Sequence, residues 1–227
     1  MYKKLPVDEH YFSIIDTEEK AYFLGFLFAD GCNTGKGLSI QLQHGDVSIL
    51  HALKGALRSK HAITEIKRGD GRHHVSYGFT SVELSNCLTE WGCVPRKSFV
   101  LQFPKALPLD LHRHFIRGFF DGNGYIADVS KSKRKYPNSK ISFASTKLFC
   151  SCAASIIEKE CGVNCKLEST HNEYIWQVIV SGRRQVVKVL KYLYGEAKIA
   201  LDRKRLIANS ILTEKFVDRR YSQKISA

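Results

Sequence analysis

One nine-residue phrase occurs twice in this chain of 227 residues. Residues 23–31 read FLGFLFADG and residues 116–124 read IRGFFDGNG. At an offset of 93, Gly25 matches Gly118, Phe26 matches Phe119 and Gly31 matches Gly124; the eighth position is Asp30 in one copy and Asn123 in the other. Two copies of one apolar helix, each ending in a short polar side chain before glycine, predict a pseudo-two-fold protein with a shared site on its axis.

Ala21, Gly25 and Ala29 are spaced by four and share one helical face, and Gly118 and Gly122 repeat the last two of these positions. Small residues at that spacing leave a groove in which two backbones can approach. Phe23, Leu24, Leu27, Phe119 and Phe120 then pack into the two halves. Gly31 and Gly124 read as helix C-caps. Asp30 therefore stands at a helix C-terminus, where the macrodipole disfavours a carboxylate by about 0.3–1 kcal/mol. A carboxylate kept there needs a compensating cation, and a divalent metal would serve.

These phrases resemble the paired motifs of LAGLIDADG homing endonucleases, in the single-chain form with two repeats. The stretch GCVPRKSFVLQFP at 92–104, shortly before the second phrase, is also similar to that family. The resemblance spans about residues 19–213. It implies double-stranded DNA as partner, metal-dependent phosphodiester hydrolysis with Mg2+, and intron or intein mobility as the biological role.

Composition bounds the function independently. The net charge is +13. Residues 1–104 carry 12 Lys and Arg against 11 Asp and Glu, whereas residues 105–227 carry 23 against 11. With no membrane-binding helix, this balance points to a polyanion, most simply nucleic acid, with more phosphate contacts from the second half. No run of eighteen apolar residues exists and the N-terminus lacks a signal-peptide stretch, so neither a membrane span nor secretion is expected. Seven cysteines without a C-x-x-C pair read as reduced thiols of an intracellular protein, in the cytoplasm of a microbe or in an organelle.

Periodicity organises the rest. Residues 38–43 alternate strictly and predict a strand with Ser39, Gln41 and Gln43 outward; glutamine suits adenine edges in a major groove. A helix is expected over 46–58, strands near 62–68 and 74–80 around a hairpin tip, and a helix near 82–91. The second half repeats the order, with helices at 111–121, 146–160 and 183–194 and strands near 125–130, 140–145, 164–170 and 174–180. The expected fold class is mixed α+β: two αββαββα repeats, residues 1–104 and 105–227, joined by an extended linker at 101–110 and followed by a polar tail after 214. Two antiparallel sheets would form a saddle over central motif helices, and the chain is expected to be monomeric. Lys67, Arg68, Arg72, Lys131, Lys133, Arg134, Lys135, Lys140 and Lys166 join the three outward strand residues as candidate DNA contacts.

Other signals fail on spacing. GCNTGKG at 31–37 is one residue short of a phosphate loop and has Gly37 at its Ser/Thr position. Asp121-x-Asn123 starts like a calcium loop but has Ile126 and Ser132 where Gly and Glu belong.

The resemblance makes Asp30 one metal ligand and position 123 the other. Asparagine there contributes a neutral carbonyl oxygen and no charge. Three accounts fit: a chain altered to trap uncut DNA, a natural nicking variant, or one that binds without cutting, including an RNA splicing maturase or a regulator on the same scaffold. Asp121, at the sixth motif position, is expected to point elsewhere. Lys97 and Lys204 are the candidate basic residues beside the metal, each expected just after the last helix of its repeat.

Overall fold

The computed structural model describes residues 5–67, 69, 71–127 and 139–213. Arg68, Lys131, Lys133, Arg134, Lys135 and the predicted tail lie outside the described residues.

The first half begins with helix α1, Glu18–Ala29, whose N-cap Thr17 accepts a hydrogen bond from the Lys20 N–H, with Glu18 and Glu19 in the first turn. Ala21 to Phe28 are all buried, as an apolar helix surrounded by protein must be. Strands β1 (Gly31–Asn33) and β2 (Gly37–Gln43), helix α2 (Val47–Ala56), strands β3 (Ile63–Lys67) and β4 (His73–Thr80) and helix α3 (Val82–Glu90) follow. The second half repeats them as α4 (His112–Asn123), β5 (Gly124–Ile126), β6 (Lys140–Ser145), α5 (Lys147–Cys161), β7 (Lys166–Ser169), β8 (Trp176–Ser181) and α6 (Arg183–Tyr194); α7 (Asp202–Thr213) is added at the end. The sheets are antiparallel, in the orders β1-β2-β4-β3 and β5-β6-β8-β7. This is the predicted mixed α+β arrangement of two αββαββα units.

The two motif helices are the centre. A Cβ on Gly25 would stand 2.0 Å from the Phe115 carbonyl oxygen, and one on Gly118 would stand 1.9 Å from the Tyr22 oxygen. The helices thus cross in backbone contact at symmetric points, and the offset of 93 is their structural register. Phe28 meets Phe115 edge-on at 5.0 Å, so the aromatic packing of the two halves is continuous.

Gly124 is the C-cap of α4, as expected, though extended rather than left-handed, with φ −90° and ψ 159°; at α1 the expectation fails, because the C-cap is Asp30 and not Gly31. Glycine is needed at both positions for space, because a Cβ would lie 2.7 Å from the Leu27 side chain or 2.4 Å from the Phe120 ring. The linker packs onto the core: Leu101, Phe103, Pro104 and Leu107 are buried, and Phe103 meets Phe115 edge-on at 5.0 Å. Lys204 follows α6, as expected, but it does so within a further helix, α7. The sequence hid that helix because its buried positions include Lys204 beside Ala208 and Ile211, and a lysine interrupts the apolar stripe.

Candidate nucleic-acid interface and central carboxylate

The outward faces of the sheets follow from register. In β2, Leu38, Ile40 and Leu42 are buried and Gln41 and Gln43 exposed, with Ser39 partly so. Gln41 pairs with Ser76 and Gln43 with His74, extending the polar face across β4. On the second sheet, Lys140 and Lys166 fall on the equivalent face, in the rows of Ser181 and Ile179. Lys166 makes a close ion pair with Glu168, its neighbour on that face. Arg72 is exposed in the β3–β4 hairpin. Lys67 is a correction. It shares the parity of Ile63, which pairs with the buried Tyr77, and therefore lies on the helix side of its sheet.

Asp30 lies at the end of α1 against the facing helix: a Cβ on Gly122 would be 3.1 Å from its Oδ2. The residue is exposed, yet the protein crowding its carboxyl raises the Asp30 pKa, opposed by the charges of Lys204, Lys97 and Arg203. The last turn of α1 carries no basic residue. The cation that the macrodipole argument demanded is supplied by these three side chains from elsewhere in the chain. Lys97 donates from Nζ to the Gly31 carbonyl in a short hydrogen bond.

Lys204 is more deeply set, with its side chain buried and Nζ donating to the Phe120 and Asp121 carbonyls at 2.6 and 2.7 Å. It caps the last turn of α4 as Lys97 caps the turn after α1. Burial, with the charge of Arg203, lowers the Lys204 pKa to about 8 against the attraction of Asp121, Asp30 and Asp46. An amine in that range can exchange a proton near neutral pH. The unfolded chain holds this proton up to the ordinary lysine pKa, whereas the folded protein releases it near 8. Raising the pH from 7 to 10 therefore relieves a folding penalty on the order of 3 kcal/mol. Chemical denaturation at both values is expected to show the stability difference between the parent and Lys204→Met shifting toward the parent. A difference independent of pH would show that this amine is not buried.

Asn123 occupies the position equivalent to Asp30 but turns toward its own sheet, where Nδ2 donates to the Ala144 carbonyl at 2.5 Å. A carboxylate cannot make that bond. Asp121 points away, as expected. Its oxygens accept from the Tyr194 hydroxyl at 2.5 Å, the Tyr22 hydroxyl at 2.8 Å and the Leu201 N–H at 2.7 Å. Burial pushes the Asp121 carboxyl up, and these donors pull it back.

Sequence reading missed the groups that lock this centre. Arg117 is fully buried and donates to Glu18 at 2.7 Å, to the Ile199 and Leu193 carbonyls at 2.9 and 3.1 Å, and to His114 Nδ1 at 3.1 Å. Burial and the guanidinium push His114 down to about 4, so it accepts as a neutral imidazole. Burial opposes ionisation of Glu18, but the Lys198 N–H, Arg117 and His114 outweigh it and hold its pKa low. Arg203 Nε reaches both oxygens of Asp46, at 3.0 and 3.1 Å. The available signal was a charged residue on an otherwise apolar helix face, at Arg117 and Asp121.

Solved structures share this fold. The meganuclease I-SmaMI bound to uncleavable DNA matches with a TM-score of 0.58 at 12% identity, over 86% of this chain and 90% of that one. The chain has the LAGLIDADG fold. The LAGLIDADG homing endonuclease I-LtrWI bound to target DNA matches with a TM-score of 0.57 at 11% identity, over 96% of both chains. A full-length DUF199/WhiA protein from Thermatoga maritima matches with 0.55 at 13% identity, over 96% of this chain and 69% of that one. No family model matches the sequence, and neither does any curated protein. In LAGLIDADG terms, α1 and α4 are the paired motif helices, and the two sheets flank them.

Proposed function

We propose that this protein binds duplex DNA across the outward faces of its two sheets and acts as a metal-dependent endonuclease with one full-strength ligand, Asp30. The observation that carries this reading is the Asp30 carboxylate, held at the end of α1 against Gly122 of the facing motif helix and under the charges of Lys204 and Lys97. One divalent ion would be held by Asp30, supplying the charge, with the Asn123 carbonyl oxygen as a neutral donor. When bound, such an ion supplies Lewis-acid stabilisation of the phosphoryl group and a more acidic water. The protein's own part is to fix the DNA in register, to present Asp30 at the axis, and to place Lys97 and the weakly basic Lys204 beside the developing charge.

The asymmetry at position 123 supports nicking of one strand rather than a symmetric double cut. A second reading, binding without cutting, is favoured by the same residue, because Asn123 makes a structural hydrogen bond that a carboxylate would forfeit. The two repeats in one chain support a monomer, and the family resemblance supports a role in the homing of an intron or intein-like element.

The test is selection of bound sequences from random duplexes, followed by incubation of the selected target with magnesium. A magnesium-dependent nick supports the enzyme; stable binding without strand loss supports the binder; failure to select any duplex, with RNA bound instead, overturns the proposal. Gln41→Ala is expected to relax preference at one or two base pairs, at a cost of about 1–3 kcal/mol there. Replacing Lys133, Arg134 and Lys135 by Ala is expected to weaken all duplexes about equally and to flatten the dependence on salt. An unchanged salt slope removes that segment from the interface.

A further inference from the structure

Three side chains on the helix side of the first sheet converge without any part in the site above. Gln43 pairs with His74, which sets His44 beside His73 at the hairpin end of the sheet. Glu65 stands one strand over, two positions before Lys67, the partner of His73. The imidazoles of His44 and His73 stack at 3.9 Å between centroids, 15° from parallel. Both present Nε2 to the same carboxylate: His73 lies 3.2 Å from Glu65 Oε2 and His44 lies 3.6 Å from Oε1. All three potential donor atoms fall within 4.8 Å of one another.

We propose that His44, Glu65 and His73 form a binding site for a zinc-class transition-metal ion, separate from the central carboxylate. Two imidazoles and one carboxylate are a donor set for zinc, with a fourth position open to water. Ligands about 2.1 Å from a tetrahedral ion are roughly 3.4 Å apart, and the two His–Glu separations already bracket that value. The remaining His–His edge closes by rotation of rings that are partly exposed, at 43% and 32% of their side-chain surface. The three ligands come from β3, β4 and the turn after β2, so a bound ion ties together the strands whose other face carries Gln41 and Gln43.

Another cluster, His10, Glu83 and Cys87, has comparable donor spacing, so the experiment must exclude it. The probe is Zn2+ or Co2+ alone, titrated into metal-stripped full-length protein carrying Asp30→Asn and Cys87→Ser. These changes remove the central carboxylate and the thiol. Expected are one equivalent of tight binding, visible bands of four-coordinate Co2+, and a rise in Tm of about 5 °C when the ion is at roughly 100 times its Kd. His44→Ala and His73→Ala should each abolish the bands, and Glu65→Gln should weaken binding at least tenfold. Absence of binding at about 100 μM ion overturns the proposal, as does binding that survives all three substitutions. Glu65→Gln preserves shape, so its folded spectrum separates ligand loss from unfolding. This result is independent of whether the protein cuts DNA.

Discussion

Asn123→Asp is expected to raise magnesium-dependent cleavage of a selected target by about 10²-fold, and to turn nicking or silence into cutting of both strands. The change adds a negative charge at the position equivalent to Asp30 in the second motif helix. It also forfeits the hydrogen bond from Asn123 Nδ2 to the Ala144 carbonyl and sets a carboxylate against that oxygen. The new side chain must therefore leave the sheet, and the variant is expected to lose about 1–2 kcal/mol of stability as it gains activity. Binding without metal should weaken, because an added carboxylate near phosphates repels them. Asp30→Asn in the same background should return cleavage to baseline, since the two ligands act as a unit. Cleavage of one target by the parent, the single variant and the double variant decides the matter. If the parent already cuts both strands as fast as Asn123→Asp, position 123 is not the missing ligand.

Gly118→Ala is expected to cost about 4 kcal/mol or more, measured by denaturant unfolding. Its methyl would stand 1.9 Å from the Tyr22 carbonyl oxygen, a backbone atom that can retreat only if the helices part. Parting them strips contacts from the aromatic rings on both sides and from the Tyr22–Asp121 hydrogen bond. Gly25→Ala meets the mirror-image obstacle at Phe115 and should cost a similar amount. Gly55→Ala is the control: it lies in α2 with nothing within 4 Å, and should stabilise by roughly 0.5–1 kcal/mol through helix propensity. A loss below about 1 kcal/mol for Gly118→Ala would show that the motif helices do not cross in this register.

Much of this was legible because repetition and spacing are local signals. The glycine faces of the motif helices, the alternating strand at 38–43 and the helix at 183–194 all announce themselves within a few residues. The strand Gly31–Asn33 did not, since three residues carry no period. Helix α7 did not, since Lys204 occupies one of its inward positions. The long-range locks were beyond spacing altogether: Arg117 with Glu18, and Asp121 with Tyr22, join residues 99 apart in sequence. The same limit hid part of the compensation of Asp30. A cation was foreseeable from the helix dipole, and Lys97 and Lys204 were named beside it, but Arg203 was not.

The segment from Gly195 to Thr213 belongs to the second half by sequence and to both halves by contact. Lys198 and Ile199 bind the Glu18–Arg117 pair, Arg203 holds Asp46, Asp202 holds Ser48, and Lys204 faces Asp30. The two halves are therefore not interchangeable parts. A chimera that joins residues 1–100 to another protein's second half would carry Asp46 without Arg203, and Asp30 without Lys204 and Arg203. During synthesis, likewise, the first half leaves the ribosome with those partners still untranslated. A working transplant of the first half has to bring this final stretch with it.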